Sequence, residues 1–152
     1  MTGASASVFL DTNVLVYAYD PADRAKQGVA AALVAELAGR QAAAISTQVL
    51  SEFFNSLVRK VKPALPMEQA LESLRFHMGA WTVIGHTAEL VLQAALSARS
   101  HKINFWDAQI WAAARMNGIP VVLSEDFASG SAIDGVRFVN PFAAGFRLAD
   151  WL

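Results

Sequence analysis

The sequence contains no cysteine and only three histidines. Without cysteine the chain has no disulfide framework, no thiolate zinc site and no cysteine nucleophile. His77, His86 and His101 lie far apart and lack the spacing of paired zinc ligands, so we do not expect a histidine-built zinc site.

Charged residues are also scarce, at 16% of the chain, whereas hydrophobic types make up 55%. This composition excludes intrinsic disorder, which requires low hydrophobicity and high net charge. The 12 Lys and Arg residues nearly balance the 13 Asp and Glu residues. The chain therefore lacks the overall positive field that dominates non-specific nucleic-acid binding, and any basic surface must be local.

No apolar run reaches the roughly 18 residues of a membrane span. Residues 1–7 lack the positively charged region that begins a signal peptide. We therefore expect a soluble cytoplasmic protein with no membrane contact. The length of 152 residues suits one domain, and no repeat or linker divides it. We expect a single domain over residues 1–152, with residues 1–6 flexible and residues 142–152 forming a tail.

Short apolar runs alternate with helical patterns along the chain. The predicted strands are Val8–Leu10, Ala43–Ser46, Trp81–Ile84, Val121–Leu123 and Val136–Val139. The predicted helices cover residues 13–19, 22–39, 48–61, 67–77, 88–100 and 104–117. In the third of these helices, apolar residues fill one half of the helical wheel. Such alternation predicts an α/β fold, with a parallel sheet of about five strands covered on both faces by helices.

Four acidic residues could meet at one edge of this sheet. Asp11 follows the first predicted strand and Asp126 follows the fourth, and open parallel sheets bind ligands beyond such strand ends. Glu52, on the polar side of one helix, and Asp107, in the first turn of another, could face the same edge. Taken singly, each acid also suits a helix cap, a turn or a solvated helix face.

Four carboxylates that converge would repel one another. At an effective dielectric constant of ~20, each pair ~4 Å apart costs about 4 kcal/mol. A folded protein would gather them only around cations, and hard oxygen ligands without cysteine or paired histidine indicate Mg²⁺ or Mn²⁺. Such ions activate water and stabilise the attacking and leaving oxygens of a phosphodiester.

Four segments resemble the PIN-domain ribonucleases in order and spacing. They are Asp11–Asn13 after an apolar strand, Gln48–Phe53, Asp107–Ile110 and Leu123–Phe127. Within that family the chain is most similar to the VapC-type toxins of bacterial toxin–antitoxin pairs, from Val8 to about Pro141. The resemblance implies a three-layer α/β/α sandwich, one or two Mg²⁺ or Mn²⁺ ions, and RNA cleavage by metal-activated water. It also implies a homodimer and a small antitoxin protein that covers the acidic pocket.

The resemblance also carries roles for individual acids. Asp11 and Asp107 would ligate the main metal ion, and Glu52 would hold its water shell or a second ion. Asp126 would complete the pocket, directly or through water. Glu125 lies beside Asp126, and the match to the family favours Asp126 as the acid that turns inward.

Three polar residues match those that accompany the acids in the family: Thr12, Asn13 and Ser124. Asn13 would position water or orient the carboxylates. Ser124 would form a hydrogen bond to Asp11 or to a phosphate, and it stands where family members often have threonine.

Candidate RNA-binding side chains lie on the helices that carry the acids or just before them: Arg59, Lys60 and Lys102. Ordinary solvated helix ends explain these cations equally well. Trp106, next to Asp107, could stack a base or pack in the core. Phe53, Phe54 and the Ala-rich helix from Val29 to Leu37 offer more apolar surface than a small monomer needs.

Other functions fit the sequence less well. Magnesium-dependent phosphoryl-transfer domains usually need a lysine near a late strand, whereas the last lysine here is Lys102, and the phosphatases among them also need a second aspartate where Asn13 stands. A flap-type DNA nuclease would need further acids and helical insertions. An RNA-binding or scaffolding module that keeps the acids without turnover remains the main alternative to a metal-dependent endoribonuclease.

Overall fold

The computed structural model of the protein describes residues 6–152. The flexibility expected for residues 1–6 therefore lies outside the described residues, except at residue 6. The strands are β1 (Val8–Leu10), β2 (Ala43–Ser46), β3 (Thr82–Ile84), β4 (Val121–Leu123), β5 (Ala132–Ile133) and β6 (Val136–Val139). The helices are α1 (Thr12–Tyr17), α2 (Arg24–Arg40), α3 (Thr47–Arg59), α4 (Met67–Ala80), α5 (Ala88–His101) and α6 (Phe105–Met116). A short 3₁₀ helix, Leu148–Trp151, lies in the predicted tail.

The six strands form one sheet in the order β3-β2-β1-β4-β6-β5. Neighbours from β3 to β6 pair in parallel, and β1 lies between β2 and β4. Helix α1 packs on both α2 and α3, α3 packs on α4, and α5 packs on α6. The predicted α/β sandwich with a mainly parallel sheet is therefore confirmed.

One strand departs from the prediction of about five parallel strands. The two-residue β5 pairs antiparallel with β6 at the edge of the sheet. Asp134 and Gly135 join the two strands, both with positive φ (46° and 83°). An Asp-Gly pair is the typical sequence of a two-residue hairpin turn, so this signal was present in the sequence.

Side-chain caps begin several helices directly after strands. Asp11 follows β1 and caps α1 by accepting a hydrogen bond from the backbone amide of Thr12. Ser46, the last residue of β2, accepts one from the amide of Val49 and caps α3. These caps satisfy helix amides that would otherwise lack partners, and they start α1 and α3 at the same edge of the sheet.

The core surrounds the central strands β1, β2 and β4, whose residues are buried throughout. Phe53 is fully buried and Phe54 half-buried, so Phe53 adds nothing to the apolar surface expected there, whereas Val29 of α2 is 42% exposed. Phe53 is buried because its ring packs against the edges of the Tyr19 and His77 rings beneath α3. In the described part of the chain, no helix is long and apolar enough to cross a membrane.

Candidate active site

The two acids that follow central strands lie at adjacent strand ends. Leu10 of β1 pairs with Leu123 of β4, and the amide of Asp11 donates to the carbonyl of Leu123 at 3.0 Å. Asp11 and Asp126 consequently leave the sheet at the same edge, where the carboxyl ends of parallel strands meet. The first turn of α6 brings Asp107 to this edge.

Carboxylate oxygens of Asp11, Asp107 and Asp126 lie within 4.8 Å of one another. Glu52 from α3 lines the same cavity, which has a volume of about 400 Å³. The structure therefore gathers all four predicted acids at one site, although Glu52 stands outside the tight group of three.

Asp11 is the most deeply placed acid, with only 4% of its surface exposed. One carboxylate oxygen accepts from the Thr12 amide and the other from the Ser124 hydroxyl, both at 2.7 Å. Burial raises the pKa of Asp11 to about 7, against these hydrogen bonds, and the charges of Asp126 and Asp107 raise it further. The cost of desolvating this carboxylate and of the repulsion from its neighbours is therefore larger than its hydrogen bonds offset.

Asn13 and Ser124 hold the more exposed Asp126. The Asn13 side-chain amide donates to a carboxylate oxygen of Asp126 at 3.0 Å. The Ser124 hydroxyl oxygen accepts from the Asp126 amide at 3.1 Å while it donates to Asp11. Both side chains therefore orient carboxylates.

Glu52 is fixed by two hydrogen bonds of its own. It accepts from the Thr12 hydroxyl at 2.7 Å and from the side-chain amide of Gln48 at 2.8 Å. Thr12 therefore connects two acids, because its amide contacts Asp11 and its hydroxyl contacts Glu52. No sequence pattern indicates this bridge, because Thr12 and Glu52 are 40 positions apart.

Glu125 is held away from the acidic group by a separate set of contacts. Its carboxylate accepts from Lys26 at 2.7 Å and from the hydroxyl of Tyr17. The Lys26 ammonium also lies over the Tyr17 and Phe142 rings. Although burial opposes it, the hydrogen bonds from Lys26 and Tyr17 lower the pKa of Glu125. Of the two neighbouring acids, Asp126 is accordingly the one that faces the cavity.

The donor set suits a hard divalent cation. Burial raises the pKa of Asp107, and the charges of Asp126 and Glu52 add to this effect. No ion pair within residues 6–152 involves any of the four acids. Several carboxylate oxygens close together without a neutralising side chain are the ligands that Mg²⁺ and Mn²⁺ prefer.

The predicted RNA-binding cations differ in position. Lys60, at the end of α3, lines the acidic cavity, whereas Arg59 and Lys102 are exposed and do not line it. Sequence reasoning missed several polar residues of the lining, including Asp20 and Asn55. The helical wheel of α3 predicts that Asn55 is exposed, but it does not predict that this part of α3 packs beside α1.

Solved structures of similar fold come from toxin–antitoxin systems. The toxin VapC20 of Mycobacterium tuberculosis, which cleaves the sarcin–ricin loop, matches with a TM-score of 0.65 and 24% identity, over 79% of this chain and 90% of its own. A toxin–antitoxin complex from Klebsiella pneumoniae matches with a TM-score of 0.61 and 19% identity, over 89% and 98%. VapBC2 of Rickettsia felis, bound to a promoter DNA fragment, matches with a TM-score of 0.54 and 18% identity, over 78% and 87%. At these identities the likeness concerns the fold.

A search of curated protein sequences gives no significant match. The sequence profile of the PIN domain, by contrast, matches residues 8–128. This match spans most of the chain and contains the four acids of the cavity. The chain therefore belongs to the PIN domain family.

Proposed function

We propose that this protein is a divalent-metal-dependent endoribonuclease and the toxin of a toxin–antitoxin pair. The observation that carries the proposal is the group of Asp11, Asp107 and Asp126 beside Glu52, with no cation paired to any of them in the described residues. Membership of the PIN domain family and the fold shared with VapC toxins support it.

In this proposal Asp11, Asp107 and Asp126 hold Mg²⁺ or Mn²⁺, and Glu52 holds its water shell or a second ion. A bound divalent ion makes water a competent nucleophile near neutral pH and stabilises charge on phosphodiester oxygens. The oxygen of water bonds to phosphorus and the bond to the 3′ oxygen breaks. The 3′ oxygen takes up the proton that the attacking water loses, so the products carry a 5′-phosphate and a 3′-hydroxyl.

The polar residues around the acids fix the geometry for this reaction. Ser124 and Thr12 hold the two oxygens of Asp11 in place, and Asn13 holds Asp126. These hydrogen bonds keep the carboxylates close together in spite of their repulsion. Preorganised ligands of this kind reduce the reorganisation that the reaction would otherwise require.

We also propose a protein antitoxin that covers the cavity, a homodimeric assembly and a cytoplasmic location. The support for the antitoxin is the fold shared with the Klebsiella pneumoniae and Rickettsia felis complexes. A net charge of −1 gives the chain no general attraction for RNA, so RNA contact falls to the cavity and its rim, where Lys60 lies.

The test is cleavage of bacterial RNA by the purified protein with Mn²⁺ or with a chelator. We expect cleavage only with the metal, 5′-phosphate ends on the products, and a loss of at least about 100-fold in Asp11→Asn and Asp107→Asn. Glu36→Gln is the matched control, since Glu36 pairs with Arg40 on the surface of α2 outside the cavity.

Two results would contradict the proposal. Equal cleavage by the wild type and both acid variants would indicate a contaminating nuclease. RNA binding without cleavage at any divalent ion would favour the alternative of a binding module that retains the acids.

A further inference from the structure

A large aromatic side chain lies exposed at the rim of the acidic cavity. Trp106 is 60% exposed, whereas Trp81 and Trp111 are buried in the core. It lines the cavity together with its neighbour Asp107. Among the described residues, the one aromatic ring found against it is that of Phe105, with ring centroids 5.6 Å apart. The fold therefore leaves most of the indole surface in water.

The backbone that carries this indole is held on both sides. The amide of Trp106 donates to the side-chain oxygen of Asn104, the N-cap of α6, at 2.8 Å. Its carbonyl accepts from the side-chain amide of Gln48 at 3.3 Å, and the same amide group donates to Glu52. The exposed ring thus projects from a fixed position that is tied directly to the acidic group.

The charge of the cavity shows what this ring can contribute. Among the described residues, the cavity is lined by a single cation, Lys60, and by five carboxylates, which are those of Asp11, Asp20, Glu52, Asp107 and Asp126. A polyanion gains little attraction from such a surface even when a divalent ion is bound. Stacking of a base on an aromatic ring supplies affinity without charge, and every nucleobase offers a face for it.

We propose that Trp106 is a nucleobase-binding platform, which stacks an unpaired base of the RNA beside the phosphodiester that enters the acidic cavity. This inference rests on the proposed ribonuclease function and adds a substrate class to it. Bases inside an A-form helix are stacked on each other and cannot reach such a platform. The substrate is therefore a single-stranded loop, bulge or end.

The test compares steady-state cleavage, with Mn²⁺, of an RNA that the wild-type protein cleaves. We expect Trp106→Ala to raise KM by about 5- to 150-fold, the range for loss of one base–aromatic stack, with kcat within about threefold. Trp106→Phe should keep KM near that of the wild type because it keeps a stacking face. Phe76→Ala is the matched control, since Phe76 is a half-exposed aromatic residue on α4 outside the cavity.

A second measurement identifies the stacked base. Abasic sites are placed one at a time in the same RNA, and KM is measured for the wild type and for Trp106→Ala. At the position of the stacked base, the increases in KM from removal of the base and from removal of the indole should be non-additive. The wild type and Trp106→Ala should therefore have the same KM for the RNA that is abasic at that position.

The outcomes separate this inference from the function on which it rests. If the wild type cleaves RNA and Trp106→Ala has an unchanged KM, or loses kcat alone, the platform is refuted while the ribonuclease stands. Loss of antitoxin binding with unchanged RNA kinetics would likewise overturn it, in favour of a protein contact. If the wild type cleaves no RNA under any condition, both proposals fall.

Discussion

Replacement of Asp11 by asparagine should stabilise the metal-free protein above neutral pH. The ordinary pKa of this carboxyl group is 3.8, and burial raises it to about 7 in the folded protein. Between these two pKa values, Asp11 is therefore protonated in the folded state and ionised in the unfolded state. The stabilisation by this proton is complete below pH 3.8 and is lost as the pH rises to about 7.

The size of this effect follows from the difference between the two pKa values. Each pKa unit corresponds to about 1.4 kcal/mol, so ionisation of Asp11 costs the folded state about 4 kcal/mol in total. About 3 kcal/mol of this loss falls between about pH 5 and pH 8. In a domain of this length that corresponds to a fall in Tm of roughly 6–12 °C.

The assay is thermal unfolding in a chelator, with wild type and Asp11→Asn measured side by side from about pH 5 to pH 8. The variant is needed because the contribution of His77 to stability has the opposite pH dependence below about pH 6.5 and masks that of Asp11 in the wild type there. We expect the difference in Tm between Asp11→Asn and the wild type to grow by roughly 6–12 °C over this range. Millimolar Mn²⁺ near pH 8 should raise the Tm of the wild type and leave the variant almost unchanged.

Parallel pH profiles for the two proteins would refute this reasoning. They would mean that Asp11 is ionised at no cost, and hence that the repulsive, desolvated site does not exist in solution. A constant offset between the profiles would not count in its favour, because altered hydrogen bonding to Ser124 gives such an offset at every pH.

Two further predictions concern residues outside the acidic group. Lys26→Met should release Glu125 and thereby the neighbouring Asp126, so that Mn²⁺ binds about tenfold more weakly. Lys26→Arg is the control because it keeps the ion pair with Glu125. Equal Mn²⁺ affinities of the two variants in calorimetry would contradict this role of Lys26. Burial lowers the pKa of His77 from 6.5 to about 4, so the contribution of His77 to stability should fall by about 3 kcal/mol as the pH falls from 6.5 to 4, although the gain from Asp11 offsets much of this loss in the wild type. The stability of His77→Phe relative to the wild type should therefore rise by about 3 kcal/mol over this range, and a constant difference would show that His77 is protonated within the fold.

The sequence predicted the strands and helices well because local patterns determine them. The runs Val8–Leu10, Ala43–Ser46 and Val121–Leu123 form strands with the predicted bounds. Their apolar residues are buried on both faces, as a central parallel strand requires. The short β5 was missed because two residues show no periodicity, although the Asp-Gly turn beside it is a local signal.

Side-chain surroundings were predicted less well. Phe53 and Phe54 are adjacent in the sequence and equally apolar, yet Phe53 is fully buried and Phe54 only half-buried. Trp106 and Trp111 are also alike in type, but the first is exposed and the second lies in the core. For Phe53 and Phe54 the helical pattern offered no way to choose, because the partners that cover each side chain are distant in the chain.

The sequence by itself determined that Asp11 and Asp126 follow apolar strands and that cysteine ligands for a metal are absent. It also carried the resemblance to PIN domains, which the match to the family profile confirms. The resemblance favoured Asp126 over Glu125 as the acid that faces the others, but only the tertiary structure showed the physical reason, since the partner that holds Glu125 away is Lys26, 99 residues distant in the chain. The tertiary structure also decided the raised pKa of Asp11, because desolvation depends on the whole set of groups that exclude water from a side chain.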